Sequence, residues 1–272
     1  MKSLQADFFK VMKEGAIQYA APLPFLDLLC VGTATQTEVK EQVDLMYSLI
    51  HQQVDAIVLV PIDSKALVQP VVEAVRKGIP VINIDIRLDA QLLEQAGVEV
   101  AFVGPDNFAA AYEVGKLLDK KLRNEDKVAI IEGLVAADNA QQRKRGFIKA
   151  IEEKGLRLVA SEPADWETEK AAEVFQAMWM RYPDLKAVYC SNDAMALGVL
   201  QQMQEKNCYL PIVGFDNDVV MKEFLSTGKL VATADIFSSQ MAVRGIEFAL
   251  DVLEGKIENR GVHSTTYEII KQ

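Results

Sequence analysis

The chain is poor in the residues that most often carry covalent or metal chemistry. Its 272 residues hold three cysteines, Cys30, Cys190 and Cys208, and two histidines, His51 and His263. An odd, sparse cysteine count is no disulfide framework, and the spacings are not those of a metal site. Cys30 and Cys190 lie in apolar runs and read as small buried hydrophobes. With the histidines far apart, zinc chemistry and histidine-based triads have little support. No metal or cofactor is expected. No window of 18 consecutive apolar residues occurs, which excludes a helix spanning a membrane. No charged leader followed by an apolar core opens the chain, although a mature form would look the same. Phosphate-cradling glycine runs and a Gly-x-Ser-x-Gly elbow are missing as well. A net charge of −10 argues against a nucleic-acid surface.

What is present is length, a 50% hydrophobic content and a regular rhythm. Short apolar runs occupy 25–31, 56–60, 80–84, 100–103, 128–131, 156–160, 187–190, 211–215, 230–234 and 265–270. Amphipathic stretches alternate with them at 9–19, 37–52, 65–77, 108–122, 141–154, 167–181, 194–205, 219–226 and 239–253. Most of the runs are rich in Val, Ile and Leu, which suits parallel strands buried on both faces. Strict alternation of this kind predicts an α/β protein with doubly wound parallel sheets. The strands are too many for one sheet, and Gly104-Pro105-Asp106-Asn107 breaks the pattern near the middle. Two lobes are expected, an N-terminal one from 1–105 plus 236–261 and a C-terminal one from 106–235 plus 262–272. The helix at 239–253 follows a strand of the second lobe and returns to the first, so three crossings would form a hinge. The N-terminal lobe should open with a strand, yet only Met1-Lys2-Ser3-Leu4 precedes the first helix. Its first strand is therefore expected to be largely missing, or to lie upstream of Met1, leaving the sheet weak around Phe25 to Val31.

The densest information lies in Tyr189-Cys190-Ser191-Asn192-Asp193-Ala194-Met195-Ala196-Leu197-Gly198 and in Val213-Gly214-Phe215-Asp216. Each is a strand-like run ending in amide or carboxylate side chains just before a helical stretch. In an open α/β sheet ligands bind beyond the carboxyl ends of the strands. Asn192 and Asp216 are thus placed to hydrogen-bond a small polar molecule, although helix capping alone would also explain them. Phe8 and Phe9 equally suit a hydrophobic staple at a helix start. Asp85 ends a strand and suits a cap, and Arg143 sits in a basic run that suits a solvated face. Trp166, between Asp165 and Glu167, reads as an exposed aromatic plate, while Phe215 suits core and site alike.

Taken together the motifs resemble periplasmic sugar-binding proteins of the ribose-binding type, the receptors of sugar ABC transporters. The matching segments are Asp7-Phe8-Phe9, Val58-Leu59-Val60-Pro61, Gly78-Ile79-Pro80-Val81 through Asp85, and Arg143-Lys144-Arg145-Gly146-Phe147. They continue with Pro163-Ala164-Asp165-Trp166, Ser191 to Gly198, Val213 to Asp216, and Gly228-Lys229-Leu230-Val231-Ala232-Thr233. The resemblance implies the type I periplasmic binding protein fold, two doubly wound lobes on a three-stranded hinge, closing on a monosaccharide or small polyol. It implies aromatic plates from Phe8, Phe9, Trp166 and Phe215, and a polar rim from Asp85, Arg143, Asn192, Asp216 and Asp235. Carboxylate and guanidinium hydrogen bonds to sugar hydroxyls are roughly twice as strong as neutral ones. It further implies a periplasmic monomer that delivers its sugar to a membrane permease, with no nucleic acid bound and no reaction catalysed.

Departures from the ribose-binding pattern bear on the ligand. Ala6, Ile86 and Ile236 stand where that pattern has Asn, Arg and Gln. Each unmet buried hydroxyl costs about 1–3 kcal/mol, so ribose is expected to be rejected in favour of a less hydroxylated sugar or polyol. A competing function is the effector domain of a lac-repressor-type regulator, which shares most of these motifs. No helix-turn-helix precedes the first lobe, and the chain ends Thr265-Thr266-Tyr267-Glu268-Ile269-Ile270-Lys271-Gln272 rather than in an arginine- and serine-bearing strand.

Overall fold

The computed structural model describes residues 1–271. They form two compact units, one of residues 1–105, 136–138 and 237–266, the other of 106–135, 139–236 and 267–271.

In the first unit the chain runs through α1 (Asp7–Ala20), α2 (Val39–His51), β1 (Ile57–Leu59), α3 (Val68–Arg76), β2 (Val81–Ile84), α4 (Ala90–Ala96) and β3 (Phe102–Pro105). The strands form a parallel sheet, β1-β2-β3, extended at its far edge by β9 (Val262–Thr265). Alternation along the strands assigns the two faces. Ile57, Leu59 and Val81 join a core with Met46 and Ile50 of α2 and Val68, Val71 and Val72 of α3. Val58 and Ile84 turn the other way, against Gly245 of α10 (Ser238–Leu253). Both faces are therefore covered by helices, which is why these strands carry no polar alternation.

The second unit contains α5 (Asn107–Gly115), a 3-10 turn (Lys116–Lys121), β4 (Lys127–Glu132), α6 (Asp138–Lys154), β5 (Arg157–Pro163), α7 (Thr168–Arg181), β6 (Ala187–Cys190), α8 (Asp193–Glu205), β7 (Ile212–Val213), α9 (Met221–Ser226), β8 (Ala232–Asp235) and β10 (Glu268–Lys271). Its six strands lie in the order β10-β8-β7-β6-β4-β5. All neighbours are parallel except β10, which runs antiparallel to β8. The central β6 is buried throughout, and its Tyr189 packs on Phe147 of α6 with ring centroids 5.4 Å apart.

Three expectations need correction. The run 25–31 forms no strand, and Phe25 and Leu29 are 70% and 55% exposed. A strand needs a hydrogen-bonding neighbour, and among the described residues β1 pairs only with β2. What stands nearby is the start of the chain: the Met1 amino group donates to Val31 O at 2.8 Å and Ser3 Oγ to Ala34 O at 3.1 Å. The C-terminal run is two strands rather than one, and 262–265 belong to the first unit's sheet, not to the C-terminal lobe. The third is an omission, since no element was expected at 90–96, where α4 lies; Asp89 caps it by accepting from Leu92 N, and Gly97 ends it in the left-handed conformation.

Candidate functional site

The second unit gathers most of the candidate side chains at the carboxyl ends of β4, β6, β7 and β8. Arg143 leaves α6 and is only 2% exposed. Its Nε donates to Asn107 Oδ1 at 2.9 Å and its Nη1 to the Ser191 carbonyl at 2.8 Å. The same Nη1 stands 3.3 Å from Asp216 Oδ1, an ion pair buried on both sides. The guanidinium lies 3.7 Å from the centre of the Phe215 ring and 5.5 Å from that of Trp166. A cation held by a planar fork between aromatic faces keeps one orientation. Arg143 is thus no solvated basic residue, although Lys144 and Arg145 follow it in sequence.

Asn192 caps α8, its Oδ1 accepting from Met195 N at 2.9 Å. Both readings of this residue hold at once, since the cap consumes the oxygen and leaves the amide nitrogen to donate elsewhere. Asp216 caps no helix. Its neighbour Asn217 donates from Nδ2 to Asp235 Oδ2 at 2.9 Å, tying the β7 and β8 ends together. Trp166 corrects the sequence reading, because it is 4% exposed rather than an open plate. It closes over the backbone of Gly133, where an added Cβ would stand 2.1 Å from its Cη2. Phe215 is fully buried and serves the core and the Arg143 stack together.

In the first unit Phe8 and Phe9 meet edge to face at 5.0 Å, with Phe9 buried and Phe8 half-buried. Phe9 thus belongs to the packed core of this unit. Asp85 is 3% exposed, and the N-cap of the helix that follows is Asp89 instead.

Backbone strain marks the same segments. Asp85, Asp165, Trp166, Asp216, Asn217 and Phe237 all have positive φ, between 52° and 107°. Such conformations cost of order 1–3 kcal/mol each and persist where the surroundings impose them for function.

Sequence reading missed the residues that hold this arrangement. Asp193 is fully buried and accepts from Phe215 N and Asp218 N at 2.9 Å and from Thr233 Oγ1 at 2.9 Å. Burial pushes its carboxyl well above the usual carboxylate range, opposed by those hydrogen bonds. Gly214 is obligatory beside it, since a Cβ there would meet Asp193 Oδ1 at 2.0 Å. Asn83 plays a similar part in the first unit, donating to Ile86 O at 2.8 Å and accepting from Leu88 N at 2.8 Å, so it shapes the turn after Asp85. The Cys190 thiol is pushed up by complete burial and is no nucleophile. Among the described residues no cluster of His, Cys, Asp and Glu is arranged to hold a metal ion.

Comparison with known proteins accords with this geometry. Residues 1–257 match the periplasmic binding protein domain family. The D-ribose/D-allose-binding protein of Pseudomonas aeruginosa is 40% identical over 99% of this chain and 86% of its own length. An ABC transporter solute-binding protein from Burkholderia multivorans, with an unknown ligand represented as α-D-erythrofuranose, is 39% identical. It superposes with a TM-score of 0.96 over 100% of this chain and 97% of its own. A periplasmic solute-binding protein from Actinobacillus succinogenes with bound D-allose is 30% identical, with a TM-score of 0.92 over 99% and 94%. A fold of two α/β units with a polar, aromatic-lined set of strand ends defines a solute-binding protein, and the chain belongs to the periplasmic binding protein family. Within that family it is a sugar-binding protein of the ribose-binding type. The family's members are solute-binding proteins located in the periplasm.

Proposed function

We propose that this protein is the substrate-binding receptor of a sugar ABC transporter and that its ligand is an aldose of the ribose or allose kind. The observation that carries the reading is the buried Arg143–Asp216 pair stacked on Phe215, beside the free amide nitrogen of Asn192. A guanidinium, a carboxylate and an amide donor fixed by packing suit the vicinal hydroxyls of a sugar, and the aromatic faces suit its C–H faces. Asp235 completes the polar set of the second unit. Phe8, Phe9 and Asp85 are assigned to the same sugar by the family pattern.

The choice of a fully hydroxylated aldose over a deoxy sugar follows from how the divergent positions are used. Ile86 and Ile236 are 0% and 1% exposed and belong to the packed core. A polar residue adjoins each: the Arg87 guanidinium lies 4.6 Å from the Phe102 ring centre, and Asp235 engages Asn217. The names of the relatives point the same way. The deoxy-sugar alternative rests on the apolar character of Ala6, Ile86 and Ile236 and is the second reading. Calorimetric titration with D-ribose, D-allose and 2-deoxy-D-ribose separates the two, because tightest binding by the deoxy sugar would favour the latter.

The protein binds without catalysing a reaction, acts as a periplasmic monomer, delivers its sugar to a membrane permease and binds no nucleic acid. The acidic net charge supports the last point. A regulator's effector domain is not favoured, since the relatives named above are solute-binding proteins. A thermal-shift screen across pentoses, hexoses, deoxy sugars and polyols tests the whole reading, and the absence of any stabilising sugar would refute it.

A further inference from the structure

We infer that Glu132, the last residue of β4, is a positioning residue of the binding site, fixing the directions from which Arg143 and Trp166 meet the sugar. This rests on the sugar-receptor reading above. Glu132 is 5% exposed, a carboxylate at the end of a strand whose preceding residues, Val128 to Ile131, are apolar and fully buried. Its Oε1 accepts from Lys144 Nζ at 2.8 Å and from Ser161 Oγ at 2.5 Å. One donor comes from α6 and the other from β5, so a single oxygen on β4 ties three elements together. The Glu132 backbone carbonyl accepts from Ala164 N at 2.9 Å, where the turn that carries Trp166 begins.

Burying a charged pair is costly, and well-packed apolar side chains of similar volume are often as stable or more so. An apolar residue here would simply continue the run of the strand, so stability alone does not account for the carboxylate. What the carboxylate adds is direction. Lys144 follows Arg143 on α6, about 100° further round the helix axis. Clamping Lys144 to the end of β4 sets the rotation of α6 about that axis. It thereby sets the line along which Arg143 reaches Asp216 and the Phe215 ring. On the other side Ser161 lies on β5, which leads into the Trp166 turn. There Asp165 and Trp166 hold positive φ of 52° and 70°, and such backbone persists only where its surroundings impose it. Glu132 imposes it through Ser161 and Ala164 N, and Lys170 through its pairing with Asp165. Gly133, next after Glu132, is the residue the indole covers. Glu132 therefore sets both partners of the Arg143–Trp166 contact, 5.5 Å apart.

The test is calorimetry on the full chain with D-ribose and D-allose, at a temperature where circular dichroism shows each variant folded. E132A should weaken the better-bound sugar about tenfold and shift the tryptophan emission of the sugar-free protein. E132Q should restore affinity to within about threefold of wild type, because both donors meet one oxygen and an amide oxygen can accept from both. A residue that only stabilised the fold would lower the melting temperature in E132A and leave the affinity where it was. Should E132A not fold, K144M and S161A, which each remove one donor, carry the test, each weakening the sugar by about threefold or more. Unchanged affinity in E132A, or in both single-donor variants where E132A does not fold, overturns the inference and leaves the receptor reading intact. So does a loss in E132Q as large as that in E132A. Failure of wild type to bind either sugar removes both.

Discussion

Replacing Arg143 by Met removes a charge from the middle of a buried network while keeping much of its volume. The guanidinium is 2% exposed, makes two hydrogen bonds of 2.8 and 2.9 Å and faces Asp216 at 3.3 Å. R143M leaves the Asp216 carboxylate buried opposite a thioether and the Ser191 carbonyl without its donor. Breaking a buried pair by deleting one partner costs about 3–5 kcal/mol, most of it from the charge left behind. The double variant R143M/D216N removes that charge as well, so it should recover about 1–3 kcal/mol of the loss. Urea denaturation followed by circular dichroism and by tryptophan fluorescence reads both quantities, and Trp166 lies 5.5 Å from the altered group. A loss below about 1 kcal/mol for R143M, or a double variant less stable than R143M, would refute the claim that the pair is desolvated and interdependent. Sugar affinity should fall in both variants, because the recovery restores the fold and not the binding group.

Three further outcomes follow from the same geometry. G133A places a methyl 2.1 Å from Trp166 Cη2; the indole must move, so sugar affinity should fall by about tenfold or more and the fluorescence maximum should shift. Wild-type spectra and affinity in G133A would show that Trp166 has room to spare. D193A strips the acceptors from Phe215 N, Asp218 N and Thr233 Oγ1, and denaturant melts should show a loss of about 3–5 kcal/mol, each stranded group costing about 1–3. A change within about 0.5 kcal/mol would mean water replaces the carboxylate. By hydrogen exchange, the amides of 25–31, which join no sheet, should exchange faster than those of 128–131 inside β4; equal protection would contradict the absence of strand pairing.

The β–α rhythm was legible because both faces of each sheet are covered, and burial on two sides writes itself as uninterrupted Val, Ile and Leu. The limits of that signal show at particular residues. Residues 25–31 have strand composition but no partner, and apolar pattern does not encode pairing. The last run hides a switch between sheets at Thr266-Tyr267: β9 is largely polar and shows no strand pattern, while β10 carries the Ile269-Ile270 pair, and the two serve different units. At the site, the residues at strand ends before helices could be named because position and chemistry coincide there, as at Asn192 and Asp216. Their supports could not. Asp193 looks like the first residue of a helix, Asn83 like a polar interruption in a strand and Gly133 like an ordinary loop glycine. Each acts through partners distant in sequence, 22 residues for Asp193 and Phe215. Trp166 was misjudged for a related reason, because polar neighbours in sequence said nothing of the glycine backbone it covers.

Isothermal titration of the full chain with D-ribose and D-allose tests the central claim most directly. One sugar should bind per chain with a dissociation constant of about 1 μM or tighter, and D216N should weaken it by about tenfold or more. No saturable heat with either sugar up to about 1 mM, or binding that D216N leaves unchanged, would contradict the account.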